Sequence, residues 1–107
     1  MNDARLQSLV LWNYGLFFEF HDHLERLWHQ NTGDEHQALK GLIKAAGMYI
    51  HMEHNRQQAA KSLSIKSLNL IRQYSHCLTF ITNIDVLIQR LEMLAPVSPK
   101  LENPALI

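Results

Sequence analysis

The chain has 107 residues, 47% of them hydrophobic, and ten Lys/Arg balance ten Asp/Glu. That length holds one domain and not two; the apolar share is too high for a disordered chain and too low for a membrane protein; and a formal net charge of zero leaves no global field to draw in nucleic acid or anionic lipid. Four Gly and three Pro, with every Pro after Ala95, exclude a turn-rich sandwich and favour helices.

The pattern predicts an all-α, single-domain bundle of four to five helices over residues 1–94, then a flexible, Pro-containing tail over 95–107. Asp3 caps a first helix with Leu6, Leu9, Val10 and Trp12 as its apolar face. Asn13-Tyr14-Gly15 ends it, with Gly15 free to take a left-handed conformation. The second helix runs from about Leu16 to Gln30. Phe17, Phe20, Leu24, Leu27 and Trp28 share one stripe, and Glu19 meets the free amides of the first turn. Thr32-x-x-Glu35 predicts a capping box that opens a third helix reaching Asn55. Leu39, Leu42, Ile43, Ala46, Tyr49 and Ile50 form its stripe; Gly41, Ala45, Met48 and Met52 widen it, which marks a central helix with neighbours on two sides. Asn55 then caps a fourth helix to about Tyr74, with Ala60, Leu63, Ser67, Leu70, Ile71 and Tyr74 inward. Residues 75–82 connect to a last helix, capped by Asn83 or Asp85 and ending at Leu94.

Charge is unevenly spread. Residues 1–39 carry six acidic groups and two basic ones, and residues 40–72 carry six basic and one acidic. Short connections make sequence neighbours spatial neighbours, so the two fields are expected to cancel internally. Arg56, Lys61, Lys66 and Arg72 point in widely different directions on their helix, and no aromatic residues alternate with them as base-stacking platforms. Nucleic acid is therefore not an expected partner. Cys77, the single cysteine, cannot form an internal disulfide; it reads as a small buried hydrophobe and fits a reducing, cytoplasmic setting. The opening Met-Asn-Asp-Ala-Arg lacks the order of a secretory signal. The longest greasy stretch, Leu9 to Phe20, is interrupted by Asn13, Gly15 and Glu19 and is too short to cross a bilayer.

Chemistry, if any, lies on a polar stripe. His21 and Glu25 share one edge of the second helix, Glu25 and His29 are four apart, and Asp22 lies a little further round; Glu19, His23 and Arg26 occupy a different face. On the third helix Lys44, Gly47 and His51 line a narrow polar edge, and Gly47 leaves a notch between the other two. The short turn makes these helices antiparallel neighbours, so His21/Glu25 are expected to face Lys44/His51. Four readings follow: a satisfied structural network, a groove for a small ligand or a protein partner, a metal site with His21, Glu25 and His51 as three ligands, or acid–base work by Glu25 and His51. Neither the paired Glu-x-x-His nor the His-Glu-x-x-His signature is present, and nothing marks a nucleophile or oxyanion donor. His36, His54 and His76 are expected to be solvated.

Asn13-x-Gly15-x-Phe17-Phe18-Glu19-x-His21-Asp22-x-Leu24-Glu25-x-x-Trp28, followed by Gly41-Leu42-Ile43 and His51, resembles the bacterial and archaeal domain-of-unknown-function 309 family, from about Leu6 to Leu94. The resemblance implies a small all-helical protein with no established activity, substrate or cofactor. It places Glu19, His21, Glu25, Trp28 and His51 at the family's signature positions. The chain departs from the family pattern at Asp22, where Glu is usual, and at Lys44, where Gln is usual. A cation at 44 would oppose a bound metal and would suit an ion pair with Glu25.

The expected function is a protein- or small-ligand-binding module, more a binder than an enzyme and without a cofactor. Its polar groove lies between the second and third helices and comprises Glu19, His21, Asp22, Glu25, Trp28, Lys44 and His51. The alternative is a metal-assisted or acid–base enzyme using His21, Glu25 and His51. Phe18 and the Met48/Met52 arc offer a seat for a second copy, so a homodimer is an open expectation.

Overall fold

Five α-helices follow one another in the computed structural model, which describes residues 4–106: α1 (Ala4–Asn13), α2 (Phe17–His29), α3 (Gly33–Glu53), α4 (Gln57–Tyr74) and α5 (Ile84–Met93), with a 3₁₀ turn, Ser75–Cys77, between the last two. Among the described residues there is no strand, so the fold is the all-α single domain that the apolar periodicity demands. Asp3, the expected first cap, lies outside the described residues.

Three of the helices stop by the same hydrogen-bonded reversal. At the end of α1, Gly15 takes φ 73°; its N–H donates to Trp12 O (2.9 Å), and the Leu16 N–H donates to Leu11 O (3.0 Å). This is a Schellman closure, and glycine enters it at no steric cost. Asn55 does the same for α3 at φ 58°, with Asn55 N–H to Met52 O (3.1 Å) and Arg56 N–H to His51 O (2.9 Å). Asn55 thus terminates α3 and does not cap α4, a correction with a clear cause: asparagine tolerates the left-handed region that the closure needs. Leu94 closes α5 in this way at φ 49°.

The predicted side-chain caps do not form. Thr32 has the extended backbone of a cap but makes no side-chain cap bond. Glu35, its expected partner, is held instead by Arg5, whose Nε and Nη2 donate to Glu35 Oε2 at 3.1 and 2.5 Å. That ion pair ties α1 to the start of α3. Asn83 also makes no cap bond, because its amide is committed to the C-terminal segment.

α3 is the central helix. Leu39, Leu42, Ala45, Ala46, Met48 and Tyr49 are all buried along it, and it packs most extensively on α4 and next on α2. Met48 is fully buried and Met52 packs against the core, so they present no arc to a second copy; Phe18, 60% exposed, remains on the surface. α3 comes close to α4 at Gly41. A Cβ there would lie 2.9 Å from Ile71 Cγ1 and 3.3 Å from the Ile71 backbone nitrogen. Beside it the Ser67 hydroxyl donates to Gly41 O at 2.8 Å, and one turn earlier on α4 Ser64 donates to Leu91 O at 2.6 Å, joining α5. At the other end, Trp12 meets Phe17, Phe20 and Tyr49 edge-on, with ring centroids 5.0–5.6 Å apart.

In place of a loose tail, residues 99–103 form a strap across the ends of α1 and α5. Trp12 Nε1 donates to Pro99 O (2.8 Å). Asn13 brackets Leu101, donating to its carbonyl (2.9 Å) and accepting from its N–H (2.7 Å). Asn83 donates to Lys100 O and accepts from Glu102 N–H, both at 2.8 Å. The Leu101 side chain is buried. Composition does not reveal this, because the bonds come from two asparagines that sequence patterning assigns to helix ends.

The two helical glycines of α3 should respond oppositely to a methyl group. Gly41→Ala forces the α4 backbone away and should cost about 1–3 kcal/mol through overpacking, more than the roughly 1 kcal/mol that alanine gains over glycine in a helix. At Gly47 a Cβ meets only Leu63 Cδ1, at 3.0 Å; that flexible tip can yield, so Gly47→Ala should leave the Tm unchanged or raise it. Thermal denaturation followed by circular dichroism checks the ranking, and Gly47→Ala melting below Gly41→Ala would refute it.

Candidate functional site

The reversal at Asn55 does more than end a helix. It returns the chain so that Arg56 lies beside the last turn of α3, where Arg56 Nη1 approaches His51 Nδ1 at 3.3 Å. A guanidinium only donates, so in this contact His51 accepts through Nδ1, which leaves Nε2 as its N–H donor. The connection between α2 and α3 is short, so these helices run antiparallel and set His21 opposite Gly47 and His51.

Between α2, α3 and the start of α4 lies a groove of about 540 Å³. Phe18, Ile43, Ile50 and Leu63 supply apolar walls, and His21, Asp22, Lys44, His51 and Arg56 supply the polar groups. Gly47 also lines it, but its nearest neighbour is Leu63 of α4 and not a carboxylate of α2. Lys44 and Arg56 outnumber the single carboxylate, Asp22, so the charged groups lining the groove are net positive.

Lys44 is a cation of this groove, and among the described residues no carboxylate pairs with it. The expected Lys44–Glu25 pair is not made. Glu25 instead faces imidazoles of its own helix, with His21 Nδ1 3.4 Å from Oε2 and His29 Nε2 3.9 Å from Oε1. Asp22 leans on His21 at 3.8 Å. Burial lowers the Lys44 pKa below its ordinary 10.5, and the like charges of Lys40 and Lys66 lower it further.

The remaining expected residues divide. Glu25 and Trp28 line a smaller recess of about 180 Å³ with Lys40, Ile43 and Lys44, adjoining the groove through the last two. Trp28 stacks on His36, centroids 4.3 Å apart, and its buried Nε1 has no hydrogen-bond partner among the described residues. Glu19 is exposed on the first turn of α2 and does not line the groove. His51 does not converge with His21 and Glu25: among the described residues, that trio is not one whose ligand atoms gather to within 4.8 Å. The three-ligand metal reading loses its geometry, and Glu25 and His51 line different recesses.

Of the histidines expected in solvent, His36 is engaged within the fold, while His76 stays exposed. His36 is half-buried, and its Nδ1 lies 3.0 Å from both Trp28 O and Asn31 O. Carbonyls only accept, so Nδ1 carries the proton and closes the end of α2. His76 reaches Asp34 at 3.4 Å. Phe18, Leu63 and Arg56 are groove residues that the sequence reading missed. For Arg56 a signal existed: the residue after a left-handed Asn lands beside the preceding helix.

A second recess, about 320 Å³, lies between Phe17, Tyr49 and Met52 and the chain at Pro96–Ser98. The Tyr49 hydroxyl is buried without a hydrogen-bond partner among the described residues, and burial pushes its pKa up to about 12. It stays protonated at any physiological pH, which leaves the groove as the candidate site.

A family model described as Domain of unknown function (DUF309) matches residues 6–63, more than half of the chain. The matched stretch takes in every residue of the groove and ends at Leu63, within α4, short of the Leu94 that the resemblance suggested. No curated protein and no solved structure matches the chain.

Because folding lowers the Lys44 pKa, the native state holds that proton less tightly than the unfolded chain. Lys44 therefore subtracts from stability at neutral pH. The loss shrinks as pH rises through the folded pKa and vanishes above the unfolded value of about 10.5. Lys44→Met, which keeps the apolar stem, should raise the Tm by a few degrees at pH 7 and lose that advantage towards pH 11. A lower Tm at pH 7 would mean that Lys44 is paired.

Proposed function

The chain belongs to the DUF309 family, and from the groove's chemistry we propose that it is a small-ligand-binding module for an amphipathic organic anion. Charge complementarity supports the reading: a half-buried lysine that pairs with no carboxylate among the described residues stands in an apolar-walled groove with His51 and the Arg56 guanidinium. A carboxylate, sulfonate or phosphate ester would supply the missing partner for Lys44, and its hydrocarbon part would cover Phe18, Ile43, Ile50 and Leu63. The groove volume lies within the range of small-molecule sites. Phe18 gains a role on this reading, since its ring is 60% exposed and a bound hydrocarbon would shield it from water. The lone thiol of Cys77 is compatible with a reducing, cytoplasmic compartment, which we take as the working location.

Anilinonaphthalene sulfonate, an apolar body with one anionic head, is a suitable probe. Fluorescence titration should give one site per chain. Lys44→Met should weaken it at least tenfold, the order expected for losing a hydrogen bond to a charged group. Gly47→Leu, which fills the groove floor, should abolish it while the circular dichroism spectrum is kept. The uncharged analogue phenylnaphthylamine should bind at least tenfold more weakly than the sulfonate, and hexanoate should displace the probe. Equal binding of the sulfonate by the wild type and both variants would refute the assignment.

A further inference from the structure

We propose that Asp34, His76 and Cys77 form a zinc-type metal site that clips the start of α3 to the connector between α4 and α5. One ligand atom from each residue lies within 4.8 Å of the other two, and among the described residues this is the one such trio of His, Cys, Asp or Glu. The pair His76 Nε2 and Asp34 Oδ2 already stands at 3.4 Å. Asp34 belongs to the first turn of α3, whereas His76 and Cys77 follow α4, so folding and not sequence proximity brings the ligand types together.

The site has a firm side and a yielding side. Cys77 packs against the core and Leu78 beside it is buried, while the 3₁₀ turn is closed by Leu78 N–H donating to Ser75 O at 2.9 Å. The sulfur is thus fixed by the fold. Asp34 and His76 are each 64% exposed and free to adjust. Tetrahedral zinc, with bonds of about 2.0–2.3 Å, sets its ligand atoms roughly 3.3–3.8 Å apart. Moving two surface side chains by about 1 Å would close the present spacing to that range. Glu35, the neighbouring carboxylate, is held by Arg5 and does not compete. Three protein ligands leave a fourth position facing solvent, where water would bind. Thiolate and imidazole select zinc or cobalt over magnesium and calcium, which prefer oxygen alone. Binding exchanges the thiol proton for the metal, and the imidazole binds in its neutral form.

The groove and this site share no residue, and Asp34 is about 15 Å of helix rise from Lys44, so either can fail without the other. Cobalt(II) titration of the full, reduced chain tests the site. One equivalent should produce a thiolate-to-cobalt charge-transfer band together with the visible bands of a tetrahedral ion, and zinc should displace it. Cys77→Ser should abolish the charge-transfer band. His76→Asn and Asp34→Asn, both at exposed positions, should keep the fold and weaken cobalt binding at least tenfold. Saturating zinc should raise the Tm of the wild type and not of Cys77→Ser. If Cys77→Ser fails to fold, the two surface variants decide the matter. No charge-transfer band in the wild type, or unchanged affinity in both surface variants, would overturn the proposal.

Discussion

At Gly41 the backbone of α3 comes so close to α4 that not even a methyl group fits between them. The bundle is organised around that approach. It lets the Ser67 hydroxyl reach the Gly41 carbonyl and lets Ile71 bury against α3. Because α4 grips this face of α3, the opposite edge is left for α2, and the strip carrying Lys44, Gly47 and His51 opens towards the gap between them. The groove is what remains of the α3 surface once the glycine face has been used for packing. Two hydroxyls on α4 extend the same logic. Ser67 bonds back to α3 and Ser64 forward to α5, so a helix rich in serine, lysine and glutamine is held on both sides by directed bonds as well as by apolar burial.

Charge placement follows from that packing. Glu25 meets its histidine neighbours one turn away on either side of it along α2, which removes it as a counter-ion for Lys44. Among the described residues no ion pair joins the acidic first part of the chain to the Lys and Arg of the basic middle: Arg5–Glu35 lies within the first part, and Arg72 pairs with Glu92. Lys44 is left with like charges for company. A cation kept half-buried without a partner costs stability, and such a cost is reasonable where an incoming anion can offset it. The Schellman reversal at Asn55 adds to this by bringing Arg56 to the same rim. One backbone motif thereby ends a helix and supplies a donor to the site.

Much of the fold was legible because its signals are periodic or local. The apolar stripes located all five helices, the wide arc on α3 identified the central helix, and Gly15 marked the first reversal. What escaped notice depends on side chains that choose among several partners. Thr32 and Glu35 match a capping box in sequence, but Arg5 offers Glu35 a charged partner and wins. Asn83 looks like a cap, yet its amide serves the strap. Leu101, one apolar residue among prolines and polar neighbours, has no periodicity to announce its burial. The candidate site was half visible: facing edges of α2 and α3 were readable from helical spacing, and His21, Asp22, Lys44 and His51 do share the groove. The pairing within it was not readable, because i,i+4 geometry favoured His21–Glu25–His29 on one helix over a bond between helices.

The claim on which this account turns is that packing leaves Lys44 partly desolvated and, among the described residues, without a carboxylate partner. Its titration can be followed directly by carbon-13 NMR of the side-chain Cε in the folded chain and again in urea. The account predicts a midpoint below 10.5 in the folded protein that returns to about that value on unfolding. A folded midpoint at or above 10.5 would mean that a carboxylate or bulk water already satisfies Lys44, and the electrostatic basis of the groove would be gone.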